Sequence, residues 1–265
     1  MKSSLIAVLE KAVLKAARGL VRDFRELENL QVSVKNCGSF VTSADMRSNK
    51  VIIEILKEHY PKYSILSEES GEELGLDFNH RFVIDPLDGT NNFMHALPNF
   101  CISIGFEERV KGGKWDQLAG VIYSPILDEL YWAEKGKGCF VEVQNQERKL
   151  FCSRKNLLKT CMVAGSIDNY ADLDLVKNNF YNFRATGSSA LDLAYVAAGK
   201  FDCFFHRKLK PWDISAGILM VREAKGIVSD FLGTENYFES GEVLASNLEI
   251  SDIYKKLFIT PKISK

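Results

Sequence analysis

The sequence predicts an α+β fold of layered helices and strands, on three observations. Strand-like and helix-like segments arrive in blocks, without the regular strand-helix alternation that winds a parallel sheet. Short apolar stretches separated by turn residues in the first half read as a largely antiparallel sheet. A chain of 265 residues with 46% hydrophobic content is also long enough to bury a substantial core, as one large domain or two closely packed halves.

Leu5, Leu9, Ala12, Val13, Ala16, Leu20, Val21 and Phe24 recur at helical spacing, so one amphipathic helix is expected from about Ser3 to Glu26. Lys35 to Phe40 reads as a loop or hairpin tip. Asp45 then precedes a second helix that buries Val51, Ile52, Ile55 and Leu56 and stops at Pro61. Strands are expected over residues 64–67, 82–84, 100–106, 119–123 and 129–133, with residues 135–138 closing a hairpin. The second half repeats the mixture: a strand near 161–165, helices over about 188–198 and 213–224, and Gly199 and Gly226 where helix C-caps belong. A soft boundary near residues 145–156 separates an N-terminal half, 1–150, from a C-terminal half, 151–265, within one compact unit.

Composition narrows the functional classes. A net charge of −1, from 34 basic and 35 acidic residues, supplies no global field for nucleic acid or an anionic membrane. Cys37, Cys101, Cys139, Cys152, Cys161 and Cys203 are scattered, with no Cys-x-x-Cys pair, which favours reduced thiols and a cytoplasmic location. The apolar run after Lys2 is interrupted by Glu10, Lys11 and Lys15, so neither an export signal nor a membrane span is expected there.

The most informative stretch is Val83 to Phe93, where Asp85, Pro86, Leu87, Asp88, Gly89 and Thr90 end an apolar run. Pro86 fixes its own φ, and Gly89 permits a backbone conformation that other residues resist. Asp85 and Asp88 can then converge, and two hard oxygen ligands with the Leu87 carbonyl between them suit Mg²⁺. The competing reading is a plain Asp-Pro, Asp-Gly turn. Asp45, Glu68 and Asp213 also sit at expected element ends, pointing to one shared site. Helix capping for Asp45 and Asp213 and a solvated loop for Glu68 and Glu69 are the alternatives. If clustered, these carboxylates need cations, because each raises its neighbour's pKa.

Four blocks together resemble the inositol monophosphatase superfamily of Mg²⁺-dependent, lithium-sensitive phosphomonoesterases over most of the chain. They are Val41 to Asp45, Ser67 to Ser70, Asp85 to Phe93, and Trp212 to Gly217 followed by Glu223 to Gly226. Lys35 also sits where that family's mobile loop carries a lysine. The resemblance implies an αβαβα sandwich with mainly antiparallel sheets, a homodimer, and two or three Mg²⁺ ions. It places Glu68, Asp85 and the Leu87 carbonyl on a first ion, and Asp85, Asp88 and Asp213 on a second. A third, weaker ion leans on Glu68, and Glu69 is a further candidate ligand. Asp45 and Thr90 would orient the attacking water. Such an assembly hydrolyses an ester without a phosphoenzyme, one ion activating water and another stabilising the leaving oxygen.

On the substrate side, Arg184 to Ala190 resembles the family's substrate-binding stretch, making Gly187, Ser188 and Ser189 candidate contacts beside Asp88, Gly89, Thr90 and Asp213. The amides of Gly89 and Thr90 would grip a phosphate oxygen. Seven residues before Asp213, inositol-acting members typically carry a glutamate, whereas this chain has His206 within the basic run Arg207, Lys208 and Lys210. Inositol 1-phosphate or a related polyol phosphate is the expected substrate. Fructose-1,6-bisphosphatase, nucleotide 3′-phosphatase and histidinol-phosphate phosphatase activities remain alternatives on the same metal core. Outside enzymes, the alternative is a dimeric interaction protein that keeps the fold.

Overall fold

The computed structural model describes residues 2–30 and 34–259, apart from the side chains of 28–42 and of Ile259. Helix α1 spans Ser4–Leu30 and α2 spans Val34–His59. The helical stripe of α1 is the buried one, with Leu9, Ala12, Val13, Ala16, Leu20 and Phe24 all removed from solvent. Buried Asp23 ties the two helices together, accepting from the Arg47 guanidinium at 2.6 Å.

The expected placement of Asp45 ahead of its helix is corrected: Asp45 lies within α2, whose backbone also includes residues 35–40. A glycine in a helix interior costs only about 1 kcal/mol, and no proline intervenes before Pro61, so nothing in this stretch forces a break. The Lys35 side chain lies outside the described residues.

The chain then forms β1 (Tyr63–Ser67), β2 (Gly71–Glu73), β3 (Asp77–Asp88), a short α3 (Thr90–Met94), β4 (Cys101–Arg109), β5 (Trp115–Ser124), β6 (Glu129–Glu134), β7 (Gly138–Val143) and β8 (Gln146–Leu150). These strands make an eight-stranded sheet in the order β2-β1-β3-β4-β5-β6-β7-β8. Its neighbours run antiparallel except for β1 beside β3.

After it come β9 (Met162–Gly165), α4 (Tyr170–Asn179), β10 (Asn182–Arg184), α5 (Ser189–Ala197), β11 (Cys203–His206), α6 (Pro211–Glu223), β12 (Ile227–Ser229), α7 (Tyr237–Ser240), β13 (Val243–Ser246) and α8 (Ser251–Ile259). The second sheet, β10-β9-β11-β13-β12, is parallel across β10, β9 and β11 and antiparallel across β11, β13 and β12.

Among the described residues, three apolar cores define five layers. One packs α1 and α2 on the first sheet through Leu20, Phe24, Ile55, Ile84, Phe100 and Val121. The central core joins the first sheet, α5 and α6, and the inner face of the second sheet through Tyr131, Leu193, Ile218, Phe204 and Val243. The third covers the outer face of the second sheet with α4 and α8 through Val163, Leu175, Phe205 and Tyr254. The helix-sheet-helix-sheet-helix arrangement is therefore the expected αβαβα sandwich.

Helix α6 lies so close to the first sheet that a Cβ on Gly105 would sit 2.1 Å from Ser215 Oγ, and one on Gly120 2.9 Å from Ala216 Cα. That approach fixes the height of Asp213 over the end of β3. A second correction concerns the end of α6, where Lys225, at φ 68°, takes the left-handed position expected of Gly226. Gly226 is instead hemmed in by Cys152 Sγ and Val221 Cγ1, each 2.7 Å from where a Cβ would stand.

Candidate active site

Asp85 and Asp88 are three positions apart, and on a regular strand such residues face opposite sides of the sheet. The register against β4 resolves this: Asp85 lies opposite Ser103 and Asp88 opposite Cys101, so β3 spends one more residue than β4 between the two pairings. This β-bulge restores both carboxylates to one face. It is held from inside, since Asp85 Oδ1 accepts the Leu87 N–H at 3.0 Å and the Thr90 hydroxyl donates to the Leu87 carbonyl at 3.1 Å. Ser48 of α2 donates to the Pro86 carbonyl at 2.9 Å. The strand ends at Gly89, whose φ of 93° is left-handed. A Cβ there would stand 2.9 Å from the Asn99 carbonyl oxygen.

Two later helices reach this strand end. Asp88 Oδ2 accepts from Ser188 Oγ at 2.5 Å and from the Ala190 N–H at 2.8 Å, so its carboxylate sits against the N-terminus of α5. The Cys101 thiol approaches the same oxygen at 3.7 Å. In the first turn of α6, Asp213 accepts the Lys210 N–H at 2.7 Å, which fixes one oxygen and leaves the other for the site. Asp85, Asp88 and Asp213 each bring a carboxylate oxygen to within 4.8 Å of the others.

Glu68 follows β1, its N–H donating to the Ile84 carbonyl at 3.1 Å, which places it beside Asp85. Asp45 is buried, and its Oδ1 has no hydrogen-bond partner among the described residues.

The electrostatics of the group are strained as it stands. Burial pushes the Asp45 carboxyl up to about 8, with Glu69 and Glu68 adding to the rise. Burial and then Asp88 push Asp213 up to about 7. Asp85 lies well above the usual carboxylate range through burial and the charges of Asp88, Glu68, Asp213 and Asp45. Glu68 is raised by burial and by Glu69, against a hydrogen bond with Asp85 that pulls it down. Burial raises Asp88 too, opposed by its bonds from Ser188 and Ala190. Among the described residues no lysine or arginine forms an ion pair with any of these carboxylates. Clustered hard oxygens, one of them orphaned, with no internal cation, fit divalent ions of the Mg²⁺, Mn²⁺ or Ca²⁺ type.

Beside the cluster lies a cavity of about 400 Å³ lined by Gly165, Ser166, Phe183, Ser189, Asp192 and His206, among others. Gly187 and Ser188 also border it. The structure thus brings Asp45, Glu68, Asp85, Leu87, Asp88, Thr90 and Asp213 to one end of the first sheet, with Gly187, Ser188, Ser189 and His206 on the neighbouring wall. Ser188 is buried, and its hydroxyl is engaged: it donates to Asp88 and accepts the Leu191 N–H at 3.4 Å. In the basic run, Arg207 is drawn away to buried Asp172 at 2.7 Å and lies over the Phe231 ring at 4.2 Å.

Sequence reasoning missed the residues that join the two parts. Asn92 of α3 donates to the Thr186 carbonyl at 2.8 Å and to the Asn99 carbonyl at 2.7 Å, while Asn99 also donates to Thr186 at 3.0 Å. Thr186 Oγ1 donates to buried Asp192 at 2.6 Å. Asn91-Asn92 beside the acidic turn was a usable signal, since a polar side chain packed under such a turn needs a partner. Nothing in the sequence pointed to Asp192, which sits within an apolar helical run.

Comparison with known proteins was consistent along the whole chain. A family model described as the inositol monophosphatase family matches residues 1–260. A protein named inositol-1-monophosphatase from Mesorhizobium japonicum is 41% identical over 254 residues, covering 93% of this chain and 92% of that protein. A protein named Nus factor SuhB from Escherichia coli (strain K12) is 39% identical over 251 residues, covering 92% of this chain and 91% of that one. The crystal structure of extragenic suppressor protein suhB from Bartonella henselae superimposes with a TM-score of 0.86 at 40% identity, covering 97% of this chain and 100% of that one.

Proposed function

Because the chain belongs to the inositol monophosphatase family, a family of phosphomonoesterases, we propose that it hydrolyses inositol 1-phosphate or a related polyol phosphate with Mg²⁺ as cofactor. The observation that carries this reading is the convergence of Asp85, Asp88 and Asp213 within 4.8 Å, with no lysine or arginine among the described residues in an ion pair with them, beside a cavity large enough for a small polyol.

Glu68, Asp85 and the Leu87 carbonyl would hold one ion, and Asp85, Asp88 and Asp213 a second. A third would lean on Glu68. When bound, the ions lower the pKa of a water and stabilise charge on the departing ester oxygen. The protein's own contribution is position. The Thr90 hydroxyl, whose proton is given to the Leu87 carbonyl, offers its lone pairs to a water proton, and the orphaned Oδ1 of Asp45 can accept another. Ser188 and the Ala190 N–H keep Asp88 in a single orientation. Gly89 and Thr90 would contact the phosphate, and Gly187, Ser189 and His206 the alcohol portion.

The reading extends to lithium sensitivity, a homodimer and a cytoplasmic location, all supported by family resemblance. Among the described residues no helix is long and apolar enough to cross a membrane. The test is phosphate release from a generic phosphomonoester with and without Mg²⁺ and Li⁺. Release that needs Mg²⁺ and falls with Li⁺ is expected. A folded preparation with no metal-dependent release would favour the interaction protein that keeps the fold without turnover.

A further inference from the structure

His206 borders the cavity at the C-terminal end of β11, half-buried and beside the Phe204 ring. Its hydrogen bonding fixes its chemistry. The Lys208 backbone N–H points at His206 Nδ1 from 3.1 Å. A backbone amide can only donate, so Nδ1 must be the bare, accepting nitrogen, and the ring proton resides on Nε2. That Nε2–H has no protein partner among the described residues.

Protonation of the ring would set a second N–H against the amide. Burial also holds the imidazole below its ordinary pKa, with Lys208 acting in the same direction and Asp168 against it. At neutral pH this corner of the cavity is therefore an uncharged donor. Of the nearby charged groups, Arg207 is committed to Asp172 and Asp168 accepts the Ser166 hydroxyl at 3.1 Å, while burial remains the largest influence on the ring.

We propose that His206 sets substrate preference by donating from Nε2 to an acceptor oxygen on the alcohol portion of the phosphomonoester. The proposal rests on the phosphatase reading above. It inverts the polarity that a carboxylate at this place would have. A carboxylate needs a substrate hydroxyl that gives its proton, whereas the imidazole is satisfied by an ether, ring or carbonyl oxygen, or by a hydroxyl acting as acceptor. The substrates favoured are then phosphate esters of polyols or sugars whose distal oxygen need not carry a proton.

The experiment compares kcat/KM for inositol 1-phosphate with that for its mono-O-methyl ethers, which keep the acceptor and lose the donor. It uses the wild type, His206→Gln and His206→Glu. Gln can accept the Lys208 amide through its oxygen and still donate through its nitrogen, whereas Glu can only accept.

The ether that falls furthest below the parent ester in His206→Glu, by at least about tenfold, is expected to stay within about threefold of it in the wild type and in His206→Gln. The same ether-to-parent ratio in all three proteins would overturn the proposal. So would a wild type that already rejects every ether. Nitrogen-15 NMR of the imidazole supplies a readout independent of turnover, with a protonated Nε2 and bare Nδ1 expected and the reverse tautomer overturning the assignment. Absence of Mg²⁺-dependent release from every ester would refute the phosphatase reading instead, while release with an unaltered ratio refutes this inference alone.

Discussion

The acidic end of the first sheet and the His206 wall of the cavity are adjacent but built on opposite principles. At the acidic end, several carboxylates are crowded into buried positions, held by backbone amides and hydroxyls, and form no ion pair with a lysine or arginine among the described residues. On the His206 wall, the polar groups are neutral or already paired, and the strongest cation of the run is turned away. The contrast separates reaction from selection. On the proposed reading, charge stored at one end would call for ions and so set the chemistry, while uncharged donors and acceptors at the other would discriminate among esters without competing for those ions.

The largest effect expected from breaking that contrast is Asp88→Asn. It removes a charged ligand at nearly constant volume, and kcat should fall by several orders of magnitude while the protein stays folded. Near-normal turnover in steady-state assays would take Asp88 out of the metal site.

A second test uses the stored charge directly. Asp45 and Asp213 have folded-state pKa values of about 8 and about 7. Both exceed the roughly 3.9 of an unfolded aspartate, so the folded state binds more protons than the unfolded one between these limits. Stability of the metal-free protein should therefore fall as pH rises from about 4 to about 8. Mg²⁺ at about 100 times its Kd should restore roughly 2.7 kcal/mol. Calorimetry with and without chelator checks this, and a metal-free melting temperature that is flat across that window would contradict the charge conflict.

Asn92→Ala cuts the tie between the regions. The Thr186 carbonyl would keep only Asn99, and the wall should shift relative to the ions. A fall in kcat/KM of about 10- to 100-fold is expected, with Mg²⁺ affinity altered less than turnover. Equal losses in both would make Asn92 part of the metal site. The smallest effect is Ser48→Ala, which removes the hydroxyl bond to the Pro86 carbonyl and should cost about 1 kcal/mol in denaturant unfolding.

Much of the fold was legible where periodicity was strong. The α1 stripe, the antiparallel run through β4, β5 and β6, and the α5 and α6 helices follow from spacing that only one secondary structure satisfies. The start of α2 was not legible, because Gly38 and the polar residues around it fit a loop as readily as a helix. Gly226 misled for a related reason: glycine marks either a left-handed cap or a tight contact, and only the proximity of Cys152 and Val221 distinguishes them. The candidate ligands were legible because Asp85 and Asp88 share one strand-end turn while Glu68 and Asp213 lie in further blocks that resemble the same family; each acid taken alone fits a turn, cap or solvated loop as well. Asp192 and Ser48 were not, and Asn92 showed only its place beside the turn, because the partners of Asn92, Asp192 and Ser48 lie 94, 6 and 38 residues away in directions that a sequence does not encode.

By itself the sequence determined the chemical inventory: two carboxylates and a carbonyl in four consecutive residues, a third acidic group at an expected helix start, and a histidine seven residues before it. Adjacency along the chain guarantees that Asp85, Leu87 and Asp88 travel together. Tertiary structure decided how they are used. Pairing with β4 creates the bulge that turns Asp85 and Asp88 to one face, and α5 brings Ser188 across 100 residues to orient Asp88. The turn after β11 aims one backbone amide at His206 Nδ1. Strand register and hydrogen-bond direction are relations between distant or folded segments, so they exist only once the layers have packed.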